Sequence, residues 1–104
     1  MIHVIAVVTA KPGQRDRLLE ALKANVPAVR AERGCIEYQA TVDAPDAGPA
    51  QAAFGKDTFV VVEKWEDMAA LKAHAAASHM AAYAERTREC ILSRTIHILS
   101  PVSS

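Results

Sequence analysis

The spacing of apolar positions changes along the chain, and each change marks an expected element. Residues 2–10, IHVIAVVTA, are dense in β-branched side chains and predict a strand, ended by the turn chemistry of Lys11-Pro12-Gly13-Gln14. Beyond it Leu18, Leu19, Leu22, Val26 and Val29 recur at spacings of three and four, the stripe of an amphipathic helix. Pro27 lies inside that pattern and is expected to kink or split it, and Gly34 to stop it. Residues 35–43, CIEYQATVD, alternate, with Ile36, Tyr38, Ala40 and Val42 on one side. The Pro- and Gly-bearing stretch 44–57 predicts a long loop, and TFVVVEKWED, 58–67, a third strand. Asp67 is a suitable N-cap for a helix running on to Cys90, and ILSRTIHILS, 91–100, predicts a fourth strand.

The order β-α-β-β-α-β is that of a ferredoxin-like α+β fold, a split βαβ sandwich. Both helices of such a unit cover one face of a four-stranded sheet. The third strand is apolar in both registers, with Val60 and Val62 on one side and Phe59, Val61 and Trp65 on the other. Two helices leave one apolar face bare, so a homodimer joined through that face is expected, with higher assembly open.

The length of 104 residues fits a single domain spanning 1–104, able to bury its own core. Formal net charge is zero with the signs interspersed, which argues against a nucleic-acid partner. No apolar run approaches the roughly 20 residues of a membrane span, and the apolar start lacks the basic flank of a secretory leader. Cys35 and Cys90 are far apart and fit no zinc spacing; two reduced thiols suit a cytoplasmic protein.

The residues open to chemistry cluster late in the chain. Alternation puts Glu63 and Trp65 on the same face as Phe59 and Val61, and a carboxylate on an apolar face must be paired, hydrogen-bonded or protonated. His74 lies three residues after Leu71, near the buried stripe of its helix. His79 follows five residues later, an offset of roughly 140° on one straight helix. The two would then not share a face or form a zincin-type pair, so no metal is expected; a fresh helix start capped by Ser78 would re-aim His79. Tyr38 and Tyr83 each combine an apolar body with a hydroxyl that needs a partner when buried, and Asn25 is a polar outlier in the first helix. Each of these also fits a purely structural role in core, interface or cap. No phosphate loop, dinucleotide fingerprint or serine elbow is present. A carboxylate, imidazoles and phenols around an apolar pocket suit proton transfer with a small, flat, redox-labile or enolisable molecule.

The segments KPGQRDRLLEAL, RAERGCIEYQ, VVVEKWEDMAALKAH, SHMAAY and IHILSP, in this order, resemble the antibiotic-biosynthesis monooxygenase family, in particular its small quinol monooxygenases. The resemblance covers nearly the whole chain, including the 44–57 insertion. It implies a ferredoxin-like fold dimerising into an α+β barrel. It also implies a pocket between sheet and helices, and oxidation of quinol-like substrates by molecular oxygen without metal, flavin or haem. Glu63, Trp65, His74 and His79 match the family's acid, tryptophan and helix histidines, and Tyr38 its aromatic. Relatives usually carry proline at the position of Ser78. Haem-degrading relatives use an asparagine on the first strand and a histidine near position 82, where this chain has apolar residues and Ala82. Other relatives isomerise small phosphorylated sugars.

The expectation is a cofactor-free monooxygenase of a small aromatic hydroquinone or phenol. His74 or Glu63 would act as base, and Trp65 and Tyr38 would wall the ring. His79, Tyr83 and Asn25 would complete the binding site. A proton-transfer isomerase and a non-catalytic binding module are the alternatives.

Overall fold

The computed structural model describes residues 1–103. Strand β1 (Ile2–Ala10) leads to helix α1 (Arg15–Arg30), followed by β2 (Cys35–Thr41) and β3 (Thr58–Trp65). Helices α2 (Met68–Ala75) and α3 (Ser78–Thr87), a 3₁₀ turn at Arg88–Cys90 and strand β4 (Ile91–Leu99) complete the chain. The strands pair antiparallel in the order β2-β3-β1-β4, the ferredoxin-like arrangement.

Three local expectations are corrected. Helix α1 is not split: it runs through Pro27 to Arg30, its last turn anchored by the fully buried Val29. Strand β2 does not alternate throughout. Cys35 pairs with Trp65 but Glu37 with Lys64, so a bulge at Ile36 turns that side chain outward (53% exposed) while Tyr38 stays inward (4%). The long helix expected after Asp67 breaks at Ala76–Ala77. Ala77, with extended backbone and no side-chain bond, stands at the N-cap of α3, so the restart falls one residue before Ser78 could cap it.

The remaining junctions follow the expected chemistry. Asp67 caps α2 through a 2.8 Å bond from the Ala70 amide. Gly34 adopts φ +84°, and a Cβ there would lie 2.6 Å from that of Ala70, so only glycine lets the turn before β2 meet the start of α2. The Asp43 carboxylate accepts from the amides of Phe54 (3.0 Å) and Gly55 (2.8 Å), tying the ends of the 44–57 loop together.

The core lies on one side of the sheet. Val4, Ala6, Val8, Phe59, Val61 and Trp65 point toward the helices and meet Leu18, Leu22, Val29 and Leu71. The opposite register, Ile5, Val7 and Val62, is only half-buried. Edge strand β4 is exposed along nearly its whole length, including Ile96 (47%) and Ile98 (52%). Among the described residues no helix is long and apolar enough to cross a membrane.

Candidate functional site

The register of the sheet builds the floor of the site. Glu63 lies beside Val4 of β1 and Tyr38 of β2, and Trp65, two residues on, shares its face. The indole Nε1–H donates to Glu63 Oε1 at 2.9 Å. Trp65 has no exposed surface and Glu63 is buried. Burial pushes the Glu63 carboxyl above the ordinary glutamate range, against the opposing pull of the Trp65 bond and of His74 and Arg94.

Helix α2 hangs His74 over this floor. Its ring lies 4.6 Å from that of Trp65, tilted by 33°, and 5.7 Å from that of Tyr38. Glu32, just past the end of α1, accepts from His74 Nδ1 at 2.8 Å. The same carboxylate accepts from His79 Nε2 at 2.5 Å through its other oxygen. The break before α3 re-aims His79 and brings both imidazoles onto one acid. Asn25 Nδ2, 3.2 Å from His79 Nδ1 and 3.3 Å from Met80 Sδ, can only donate, which assigns the remaining proton of a neutral His79 to Nε2. Both ring nitrogens of His79 are therefore occupied. Among the described residues His74 Nε2 has no hydrogen-bond partner, so a neutral His74 bonded through Nδ1–H presents a lone pair there.

His74 lines a cavity of about 470 Å³ between the sheet and helices α2 and α3. Its walls are mainly apolar, with Val4, Ala6, Phe59, Val61, Leu71 and Ile96 among them. Of the residues expected at the site, His74, Glu63, Tyr38 and Tyr83 line it. Trp65, His79 and Asn25 are not among the lining residues. Trp65 packs on His74 and donates to Glu63. Burial raises the phenol pKa values of Tyr38 and Tyr83, which keeps both hydroxyls as neutral donors. Three polar lining or supporting residues were not anticipated: Glu32, Lys72 and Arg94. Among the described residues no group of three or more His, Cys, Asp or Glu side chains is arranged to hold a metal ion.

Chemically, the arrangement is an imidazole fixed by a carboxylate on one nitrogen and lining an apolar cavity, beside a second carboxyl of raised pKa. It is equipped to take a proton from a flat, weakly acidic molecule. Residues 1–86 match the family model described as antibiotic biosynthesis monooxygenase. The chain belongs to the antibiotic biosynthesis monooxygenase family. It is 38% identical over 103 residues to Escherichia coli K12 YgiN, named a probable quinol monooxygenase, covering 97% of this chain and 98% of that protein. The crystal structure of PA3566 from Pseudomonas aeruginosa superposes with a TM-score of 0.80 at 28% identity, covering 98% of this chain and 94% of that one. Rv0793 from Mycobacterium tuberculosis shares the fold, with a TM-score of 0.80 at 24% identity over 99% of this chain and 96% of that one. Family and relatives together support a small-molecule monooxygenase.

Proposed function

We propose that the protein oxidises a small aromatic hydroquinone or phenol, of menadiol type, with molecular oxygen and without metal, flavin or haem. The observation that carries this reading is His74, bound to Glu32 through Nδ1 and lining an apolar cavity of ring-accommodating size. The name of the Escherichia coli relative supports the substrate class.

In the proposed reaction His74 Nε2 accepts a proton from a substrate hydroxyl, and the Glu32 carboxylate stabilises the imidazolium that forms. The hydroxyls of Tyr38 and Tyr83 donate to substrate oxygens, and Glu63 stands ready to exchange a second proton. The substrate anion passes one electron to oxygen. The radical pair recombines at a ring carbon as a hydroperoxide, and loss of water leaves a hydroxyquinone. The sum is hydroquinone plus O₂ giving hydroxyquinone plus water, so all electrons come from the substrate. The apolar cavity keeps bulk water from the reactive intermediates.

The proposal includes a cytoplasmic homodimer. The half-buried register of Ile5, Val7 and Val62 carries no helix, and a second copy seated there would give an interface of more than about 2,000 Å². Sedimentation at micromolar concentration checks this; a stable monomer would remove the dimer from the proposal.

The direct test is oxygen uptake by chelator-treated protein with menadiol, corrected for autoxidation, with the product identified by mass. Stoichiometric uptake and a product one oxygen heavier than the quinone are expected. Proton exchange at substrate carbon without oxygen uptake would instead identify an isomerase, and binding with neither a sequestering module.

A further inference from the structure

Among the described residues Arg94 is the one polar residue that β4 contributes to the cavity wall. Arg94, Ile96 and Ile98 alternate on the inner side of β4, and all three line the cavity. The Arg94 side chain lines the cavity, remains exposed, and makes no hydrogen bond or ion pair among the described residues. The second cation of the lining, Lys72 on α2, also makes no ion pair among the described residues. Glu63 is the sole acid of the lining, and it is engaged by Trp65 on the floor. A salt bridge to protein therefore does not explain either cation.

The sheet register gives the spacing between the two ends. Glu63 and Ile98 both pair with Val4, and Arg94 pairs with Val8, four residues further along β1. At the strand rise this separation is about 13 Å, part of which the arginine side chain spans itself. The remainder suits a bicyclic ring with a short arm. A guanidinium presents parallel N–H donors that match two oxygens of a carboxylate, and it binds more strongly where neighbouring walls are apolar.

We propose that Arg94 is a specificity-determining residue that selects substrates bearing a carboxylate on the side opposite the reacting hydroxyl, with Lys72 adding to the positive field at the opening. This rests on the quinol-oxidising reading for the identity of the ring, but the anion site itself does not require turnover. The bland alternative is an arginine stem covering apolar surface with its head in water. That alternative predicts no discrimination by charge.

The experiment compares 3-(1,4-dihydroxynaphthalen-2-yl)propionate with its uncharged methyl ester, both measured for equilibrium binding under anaerobic conditions and for oxygen uptake. The full-length protein should bind the acid about ten-fold or more tightly than the ester, a preference that shrinks as salt is raised. Arg94→Gln should bring the ratio near one by weakening the acid selectively, and Arg94→Lys should retain part of it. Melting curves on both variants check that the fold is intact. Equal binding of acid and ester by the unsubstituted protein, or equal weakening of both by Arg94→Gln, would overturn the assignment. Arg94-dependent preference without oxygen uptake from any quinol would support the anion site while ending the oxygenase reading. Uptake with menadiol but no preference for the acid would do the reverse.

Discussion

His74 and His79 lie on consecutive helices and bond the same carboxylate, yet their second nitrogens meet different surroundings. His74 is stacked against Trp65, lines the cavity, and has no partner for Nε2 among the described residues. His79 is closed at both nitrogens, by Glu32 and by Asn25, and lies outside the cavity lining. In the proposed reaction the contrast separates a group that exchanges protons with the bound molecule from a group that holds the first in place. Residue type does not distinguish them; the occupancy of the second nitrogen does. Glu32, held from both sides, loses freedom to turn away from His74, which keeps the ring orientation and tautomer defined.

The sharpest way to break this contrast is His74→Gln. The amide retains a donor for Glu32 and much of the side-chain volume but lacks a basic nitrogen. Turnover of menadiol should fall by about 10³-fold, within the usual range for loss of a general base, with little change in melting temperature. A smaller loss than that caused by Glu63→Gln would transfer the base role to Glu63. Glu32→Gln comes next, with an expected loss of about 10²-fold. An amide that donates to His74 Nδ1 would move the ring proton to Nε2 and point a donor at the substrate where an acceptor is needed. Single-turnover rates in the two variants check the ranking, and an unimpaired Glu32→Gln would mean that the carboxylate does not set the tautomer.

How much of this was legible in the sequence depends on how local each feature is. The four strands and α1 followed from side-chain periods read over a few residues, and the Asp67 cap from one residue and its position. The bulge at Ile36 was missed because alternation presumes an unbroken ladder; the two-for-one pairing against β3 exists only once the strands meet. The break at Ala76–Ala77 was anticipated only as a possibility around Ser78. Its N-cap has no side-chain signature, because Ala77 caps by backbone conformation alone. At the site, Glu63, His74 and Tyr38 stood out as polar groups on apolar faces. Glu32 did not, because in sequence it is one more charge at a helix end. Its partners lie 42 and 47 residues away. Trp65 shares the face of Glu63 as alternation requires but is absent from the cavity lining, since alternation names a face and not the depth at which a side chain ends.

His79→Ala should have a smaller effect than either substitution at the dyad. It removes one of the two bonds to Glu32 and leaves Asn25 facing a gap, but the bond between Glu32 and His74 persists. A loss of about three- to ten-fold is expected, the scale of one charge-assisted hydrogen bond acting through a neighbour. The reduction should appear mainly in kcat, because His79 does not line the cavity. A predominant rise in KM, with kcat preserved, would place His79 in contact with substrate and erase the difference between the histidines.

The smallest expected effect concerns the floor and is one of stability. Burial raises the carboxyl pKa of Glu63 above its unfolded value of 4.5, with the Trp65 bond, His74 and Arg94 opposing the rise. A carboxyl raised in this way favours the folded state while it is neutral. That contribution is complete below the unfolded pKa and is lost as pH rises through the folded one. Near pH 7 the buried carboxylate therefore lowers stability relative to a neutral group of the same shape. Glu63→Gln keeps an oxygen able to accept the indole N–H while removing the charge. The variant should melt a few degrees higher than the unsubstituted protein near neutral pH, about the shift produced by 1 kcal/mol in a domain of this size. The gain should fade as pH is lowered through the raised folded pKa toward 4.5. Oxygen uptake should fall in the same variant, since the group that costs stability is the one placed against the substrate. A melting temperature unchanged by the substitution across this range would mean that Glu63 is compensated in the folded protein. The floor would then be an ordinary buried hydrogen bond, and only the His74–Glu32 pair would distinguish the cavity from the rest of the core.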